Sequence, residues 1–371
     1  MDNHDKNLSE AGRKAMYKIL ERHIQVFTDK EVRVGLTDWL EMEIRMKEDA
    51  RPVCAKVRPL STAQKANLRA QLDSWFKDGM ISPTESPWGS PLVPVAKKDR
   101  ETRWAVDFRA LNTVTIADSF PVPCMGELLM DLAGAKYFSS LDAAQAFHNI
   151  PVKRESQALT AFITAFGTYQ FQRVPFGLKN ARAMYCWLVK LLLDRLKLDG
   201  KVSAYLDHIL VHTRTKEEHL FALDKVLEAH VDAGIKLKAK KTFLFEKAVD
   251  FLGHRMSAEG ITLSSRHLDY IEAIKVPTSG KEVQQLVGVL QYFSSFIPQF
   301  LQLMSPMNKL RNKRHLAPGD WMEECEKNLQ ALKESFTQPG LLRHYPLAPD
   351  DPDAGKLEVH MDFSACTRPR E

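Results

Sequence analysis

The sequence predicts an α+β fold of two or three domains. Three observations carry that expectation. The chain is 371 residues long and 44% hydrophobic, enough for more than one core. Its short apolar runs pair across tight polar turns, and its helical patterns follow pairs of strands rather than alternating one for one with them. Charge is uneven: residues 51–315 carry 37 Lys and Arg against 25 Asp and Glu, while residues 1–50 and 316–371 are both acidic. A basic body between acidic ends suits a phosphate-rich partner, although other polyanions fit as well.

The first fifty residues read as one or two helices followed by extended chain. A helix capped by Ser61 or Thr62 comes next, with Leu68, Leu72, Trp75 and Phe76 on its apolar face and Gly79 at its end. Three prolines in Ser82–Pro91 exclude a helix interior there. Leu92–Ala96 and Trp104–Phe108 form a hairpin around the basic tip 97–103. Glu127–Leu132 is a short helix stopped by Gly134, and Tyr137–Asp142 is an apolar strand ending on a carboxylate. Phe162–Phe166 and Tyr169–Arg173 flank Gly167 as a second hairpin. Asn180–Lys197 is an amphipathic helix with Tyr185, Leu188, Leu191, Leu192 and Leu196 in its core stripe. Val202–Tyr205 and Ile209–His212 bracket Leu206-Asp207-His208, and a helix spans Lys216–Asp232. From Gly260 to Lys309 the pattern is helical, broken by Pro277 and Pro298.

Asp142 at a strand end and Asp207 at a hairpin tip are, singly, ordinary turn carboxylates. Together they suit chemistry in which carboxylates from separate strands hold divalent cations for phosphoryl transfer. His208 and His212 are four apart, but their β-branched neighbours place them on a strand, where that spacing spans about 13 Å, too far for one metal. Lys97, Lys98 and Arg103, like Lys236, Lys238, Lys240 and Lys241, read first as solvated charge and second as phosphate grips. Phe147 and His148 read as core and surface. Cys54, Cys124, Cys186, Cys325 and Cys366 form no C-x-x-C pair, which argues against a disulfide framework or structural zinc. No run approaches membrane-spanning length and the first residues are polar, so an intracellular setting is expected.

Taken in order, SPWGSPLVPVAKKDRETRWAVDFRALN from Ser86, 120–152, 160–181, SAYLDHILV (203–211) and 248–261 resemble the reverse transcriptase of gypsy-type long-terminal-repeat retrotransposons. The resemblance spans about residues 40–345. It implies a right-hand polymerase fold. The extension would occupy 1–60, fingers and palm 61–255, a helical thumb 256–340, and the start of a ribonuclease H domain 341–371, with Asp362 as its first carboxylate. It implies an RNA-directed DNA polymerase that takes an RNA or DNA template, a DNA primer and dNTPs, and adds nucleotides by two-metal phosphoryl transfer with Mg²⁺ or Mn²⁺. It assigns Asp142 and Asp207 as metal ligands, and Lys97, Lys98, Arg103, Phe147, Phe176 and Gly177 to the nucleotide. Phe251, Leu252, Gly253 and His254 fall at the primer grip, and Lys240 or Lys241 at the general acid. His208 stands where the family has its second catalytic Asp, which implies impaired catalysis or a derivative that binds without polymerising. Arg182 and Met184-Tyr185-Cys186 are milder departures. Residues 357–365 resemble only the opening strand of that domain before TRPRE, and one strand is too little for a ribonuclease H domain, so no such activity is expected.

Overall fold

A computed structural model describes residues 8–96, 102–121, 125–132, 134–294, 297, 299–317 and 319–337. Lys97, Lys98, Cys124, Cys366 and the ribonuclease H-like stretch around Asp362 lie outside the described residues. The chain divides into two compact units, one ending at Val249 and one starting at Asp250.

The first unit begins with α1 (Glu10–Arg22), whose first turn is capped by the Ser9 hydroxyl. Next is α2 (Thr62–Lys77), which starts on a complete capping box: Gln64 N–H donates to Ser61 Oγ, and Ser61 N–H donates to Gln64 Oε1. Leu68 and Leu72 are buried on its inner face, as the spacing predicts. Phe76 is not; it is 39% exposed and meets Tyr169 edge to face. Then come β1 (Ile81–Pro83), β2 (Ser90–Ala96), β3 (Thr102–Val106), α3 (Arg109–Val114), α4 (Met125–Asp131) and β4 (Tyr137–Asp142). They are followed by α5 (Arg154–Gln157), β5 (Phe162–Thr164), β6 (Gly167–Phe171), α6 (Ala181–Leu196), β7 (Val202–Tyr205), β8 (His208–Thr213), α7 (Lys216–Asp232) and β9 (Phe243–Glu246).

Two sheets result. One has the order β1-β6-β5-β2-β3, with a single parallel pairing between β2 and β5. The other has the order β7-β8-β4-β9, antiparallel throughout, and it carries the candidate site. Its central strand β4 is bounded by β8 and β9, so Phe138 and Leu141 are fully buried. Helix α7 packs on β4 and β8 and against α6. In α6, Tyr185, Leu188 and Leu192 are buried as the predicted stripe requires, whereas Leu191 and Leu196 are only partly covered.

Strand β10 (Ala248–Phe251) runs across the boundary, and with β11 (His254–Ser257) and β12 (Gly260–Leu263) it forms an antiparallel meander. Gly260–Leu263 is thus a strand, against the expectation of helix from Gly260 onward: Ile261 pairs with Met256 and both are buried. Helices α8 (Ser265–Glu272), α9 (Gly280–Tyr292), α10 (Phe300–Leu310) and α11 (Glu323–Thr337) follow. Helix α10 packs against α9 and α11, closing a core that includes Leu286, Leu290, Met304, Met307 and Leu332.

Candidate active site

The site is built where β4 meets the β7–β8 hairpin. In the antiparallel register Asp142, the last residue of β4, faces His208, the first of β8. The hairpin joins Tyr205 to His208 through two residues, and Leu206 takes a φ of 53° at its tip, the sign that primed hairpin turns demand. That turn throws Asp207 and His208 toward Asp142. One ligand atom from each of Asp142, Asp207 and His208 falls within 4.8 Å of the others. Asp142 Oδ2 lies 3.8 Å from His208 Nδ1, and Asp207 Oδ1 lies 3.9 Å from His208 Nε2.

Burial is graded across the three. The Asp142 side chain is 5% exposed, whereas Asp207 and His208 are 42% and 47% exposed. A buried carboxylate needs compensation, and Asp142 has it: Lys238 Nζ donates to Oδ1 at 2.8 Å and Lys241 Nζ lies 3.5 Å from Oδ2. Of the lysine run read as solvated charge, these two reach the site, carried there by the short 3₁₀ turn Ala239–Lys241. The excluded pairing of His208 with His212 is absent: His212 is buried and hydrogen-bonded to Ser203 Oγ at 2.9 Å. As donors for a metal, two carboxylates and one imidazole within 4.8 Å fit a single divalent cation, and the nitrogen suits Mn²⁺ better than Mg²⁺.

A line of rings leads from this cluster to β3. Tyr185 meets Phe147 edge to face (5.7 Å), Phe147 meets Phe176 (5.1 Å), and the Arg103 guanidinium lies 5.0 Å over the Phe176 ring. Gly177, at φ 93°, turns the chain beneath that ring, and the loop is pinned by Asn112, which donates to Gly177 O and accepts from Lys179 N, both at 2.8 Å. Arg103, Gln145, His148 and Phe176 share a cleft of about 240 Å³ with Trp75 and Trp104. The surface reading of His148 is overturned, since it is buried, whereas Phe147 is partly buried and packs against the core as read. Burial lowers the His148 pKa to about 4, so the ring sits in the interior neutral, and its Nδ1 has no hydrogen-bond partner among the described residues.

Sequence reasoning missed Tyr185 as a site residue. Its ring is buried in α6 and its hydroxyl has no partner among the described residues. Burial, with Asp207 and Asp142 adding to it, pushes the phenol above its ordinary value of 10. The sequence signals are a polar atom in an otherwise apolar stripe and the departure of Met184-Tyr185-Cys186 from the family pattern. Tyr185→Phe removes that orphan hydroxyl and should raise stability by about 1 kcal/mol. A urea titration checks this, and a loss of stability would mean that the hydroxyl has a partner in solution.

The segment Phe251–His254 lies in the second unit as a two-residue hairpin turn. Leu252 and Gly253 both have positive φ (51° and 81°), and a Cβ on Gly253 would crowd His267. Tyr292 Oη donates to Leu252 O at 2.8 Å, and the buried His254 ring packs on Phe293.

Residues 95–256 match the family described as Reverse transcriptase (RNA-dependent DNA polymerase). The retrovirus-related Pol polyprotein from transposon opus of Drosophila melanogaster is 34% identical over 265 residues, which are 70% of this chain and 26% of that polyprotein. The chain belongs to the retrotransposon reverse transcriptase family. Among solved structures, the foamy viral protease-reverse transcriptase in complex with double-stranded DNA aligns with a TM-score of 0.83 and 26% identity. That alignment covers 92% of this chain and 59% of the viral one. The same viral protein in complex with an RNA/DNA hybrid aligns at 0.79 and 26%, covering 91% and 45%. The chain therefore has the right-hand polymerase fold, and it spans about a quarter of the curated relative's length. Among the described residues no helix is long and apolar enough to cross a membrane.

Proposed function

We propose that this reverse transcriptase domain is an RNA-directed DNA polymerase whose catalysis is impaired by His208. The observation that carries the reading is the convergence of Asp142, Asp207 and His208 from adjacent strands. The reaction joins the primer 3′-hydroxyl to the α-phosphorus of a dNTP and releases pyrophosphate. A divalent cation, when bound, stabilises the charge that develops on the phosphoryl oxygens. Asp142 and Asp207 are its carboxylate ligands, and His208 offers nitrogen where a third carboxylate would add a negative charge.

The remaining residues bind and orient. Arg103, stacked on Phe176, holds the triphosphate, with Lys97 and Lys98 as further grips. Phe147, wedged between Phe176 and Tyr185, supplies the flat surface under the sugar, where a 2′-hydroxyl would clash. The contact of Lys241 with Asp142 supports it over Lys240 as proton donor to the departing pyrophosphate. Phe251–His254 grips the primer end. A primer–template partner is supported by the net positive stretch 51–315 and by the nucleic acids held by the foamy viral structures.

The test is primer extension on poly(rA)·oligo(dT) with Mg²⁺ and then Mn²⁺. Wild type should extend weakly and better with Mn²⁺, His208→Asp should extend faster by on the order of 100-fold with Mg²⁺, and Asp142→Asn should not extend at all. Extension by wild type that His208→Asp does not raise would sink the reading. Wild-type silence in both metals with tight duplex binding would favour a derivative that binds without polymerising.

A further inference from the structure

One oxygen of the carboxylate read as a cation ligand is already engaged. Asp142 Oδ1 accepts from Lys238 Nζ at 2.8 Å, and this ammonium is no loosely swinging surface group. Lys238 N–H donates to the Asp142 carbonyl at 3.0 Å, while the Lys238 carbonyl accepts from Lys241 N–H and from Thr242 Oγ1, each at 3.0 Å. Backbone and side chain of Lys238 are thus both tied at Asp142. The Lys238 side chain is 35% exposed, against 62% for Lys241 at its longer distance. Counting formal charges, Asp142 and Asp207 are balanced by Lys238 and Lys241, so the cluster presents no net negative charge to an arriving cation.

The geometry points to Lys238 as a built-in competitor for the cation: its ammonium offsets the Asp142 charge and holds Oδ1, so a divalent ion that takes both carboxylate oxygens must displace it. The inference rests on the reading of Asp142 and Asp207 as cation ligands. Replacing His208 removes one obstacle and leaves the other in place. The deficit of this site then has two separable parts, a donor of the wrong type at position 208 and an occupied oxygen at position 142.

Mn²⁺ binding, followed by the loss of the free-ion electron paramagnetic resonance signal, separates them without any turnover. Four forms of the full chain are compared: wild type, His208→Asp, Lys238→Gln and the double variant. Lys238→Gln should tighten Mn²⁺ binding about tenfold in either background, and Lys238→Arg, which keeps the charge, should not. Equal affinities for the Lys and Gln forms overturn the inference alone and leave the cation-site reading standing. No Mn²⁺ binding by any form overturns both. A second measurement needs only wild type, in case Lys238→Gln does not fold. Reductive methylation of Lys238, read by mass spectrometry, should quicken severalfold at saturating Mn²⁺ as the ammonium is freed, and an unchanged rate overturns the inference.

Discussion

Below pH 6.5 the protein should lose stability steeply and unfold near pH 5, taking up about four protons. Four histidines cause this. His148, His212 and His230 are held neutral by burial with pKa values lowered to about 4, and His219 to about 3. His219 is locked between Ser139 Oγ (2.7 Å) and Thr213 Oγ1 (2.9 Å) under β4. His230 is bonded to the Val226 carbonyl through Nδ1. In each case the native pKa lies below the unfolded value of 6.5, so between the two the unfolded chain binds more protons. The stabilisation is complete above pH 6.5 and is lost as the pH falls toward 4. Each ring is worth on the order of 3 kcal/mol when fully titrated. Four such rings together are worth about 12 kcal/mol, comparable with the usual net stability of a domain, about 5–15 kcal/mol, so unfolding arrives within the titration. Urea midpoints between pH 8 and 4 measure the effect. His230→Leu should flatten the profile by about one proton, and a midpoint unchanged from pH 7 to pH 5 would refute the account.

Gly234→Ala should cost about 3 kcal/mol or more. Gly234 follows α7 at φ 65°, where a side chain alone costs about 1–2 kcal/mol. An added methyl would also fall within the van der Waals radius of the Leu36 carbonyl oxygen, a backbone atom that cannot swing aside. The neighbouring segment is fixed from several directions: Gly35 N–H donates to Asn149 Oδ1 at 3.0 Å, Thr37 N–H to the Asn149 carbonyl at 2.8 Å, and Arg173 to the Gly35 carbonyl at 2.7 Å. Gly200→Ala is the control. It has nearly the same φ, 68°, with nothing within 4 Å of the added carbon, so only the conformational cost applies. Similar urea midpoints for the two variants would show that residues 35–37 yield freely.

Much of this was legible because local pattern and tertiary demand agree. Tyr137–Asp142 and Lys216–Asp232 are bounded as the sequence predicts, the first an apolar run fit for a central strand, the second a long period-3.6 stripe capped by Thr215. Gly260–Leu263 was misread because four residues carry too little periodicity to separate a strand from a helix start. His148 was misread as surface because its burial comes from Phe176, almost thirty residues on, whose ring it meets edge to face at 5.2 Å. The pairing of Asp142 with Lys238 was invisible for another reason. It joins positions 96 residues apart, and four lysines in six residues look like a solvated face until β9 returns to pair with β4. The carboxylate was readable from the residues, but the ammonium paired with it was not.

The strand order β7-β8-β4-β9 also dictates when the site can exist during synthesis. Asp142 is made long before either neighbour of its strand: β8 arrives some seventy residues later and β9 about a hundred. At ribosomal rates of about 5–20 residues per second, β4 spends several seconds as an apolar ribbon with both edges open. Its contacts are long in sequence separation, so this part of the fold closes late and as one event. Asp142 and Asp207 are both translated before Lys238 and Lys241, and the ammonium groups arrive just ahead of β9, the strand that completes the sheet.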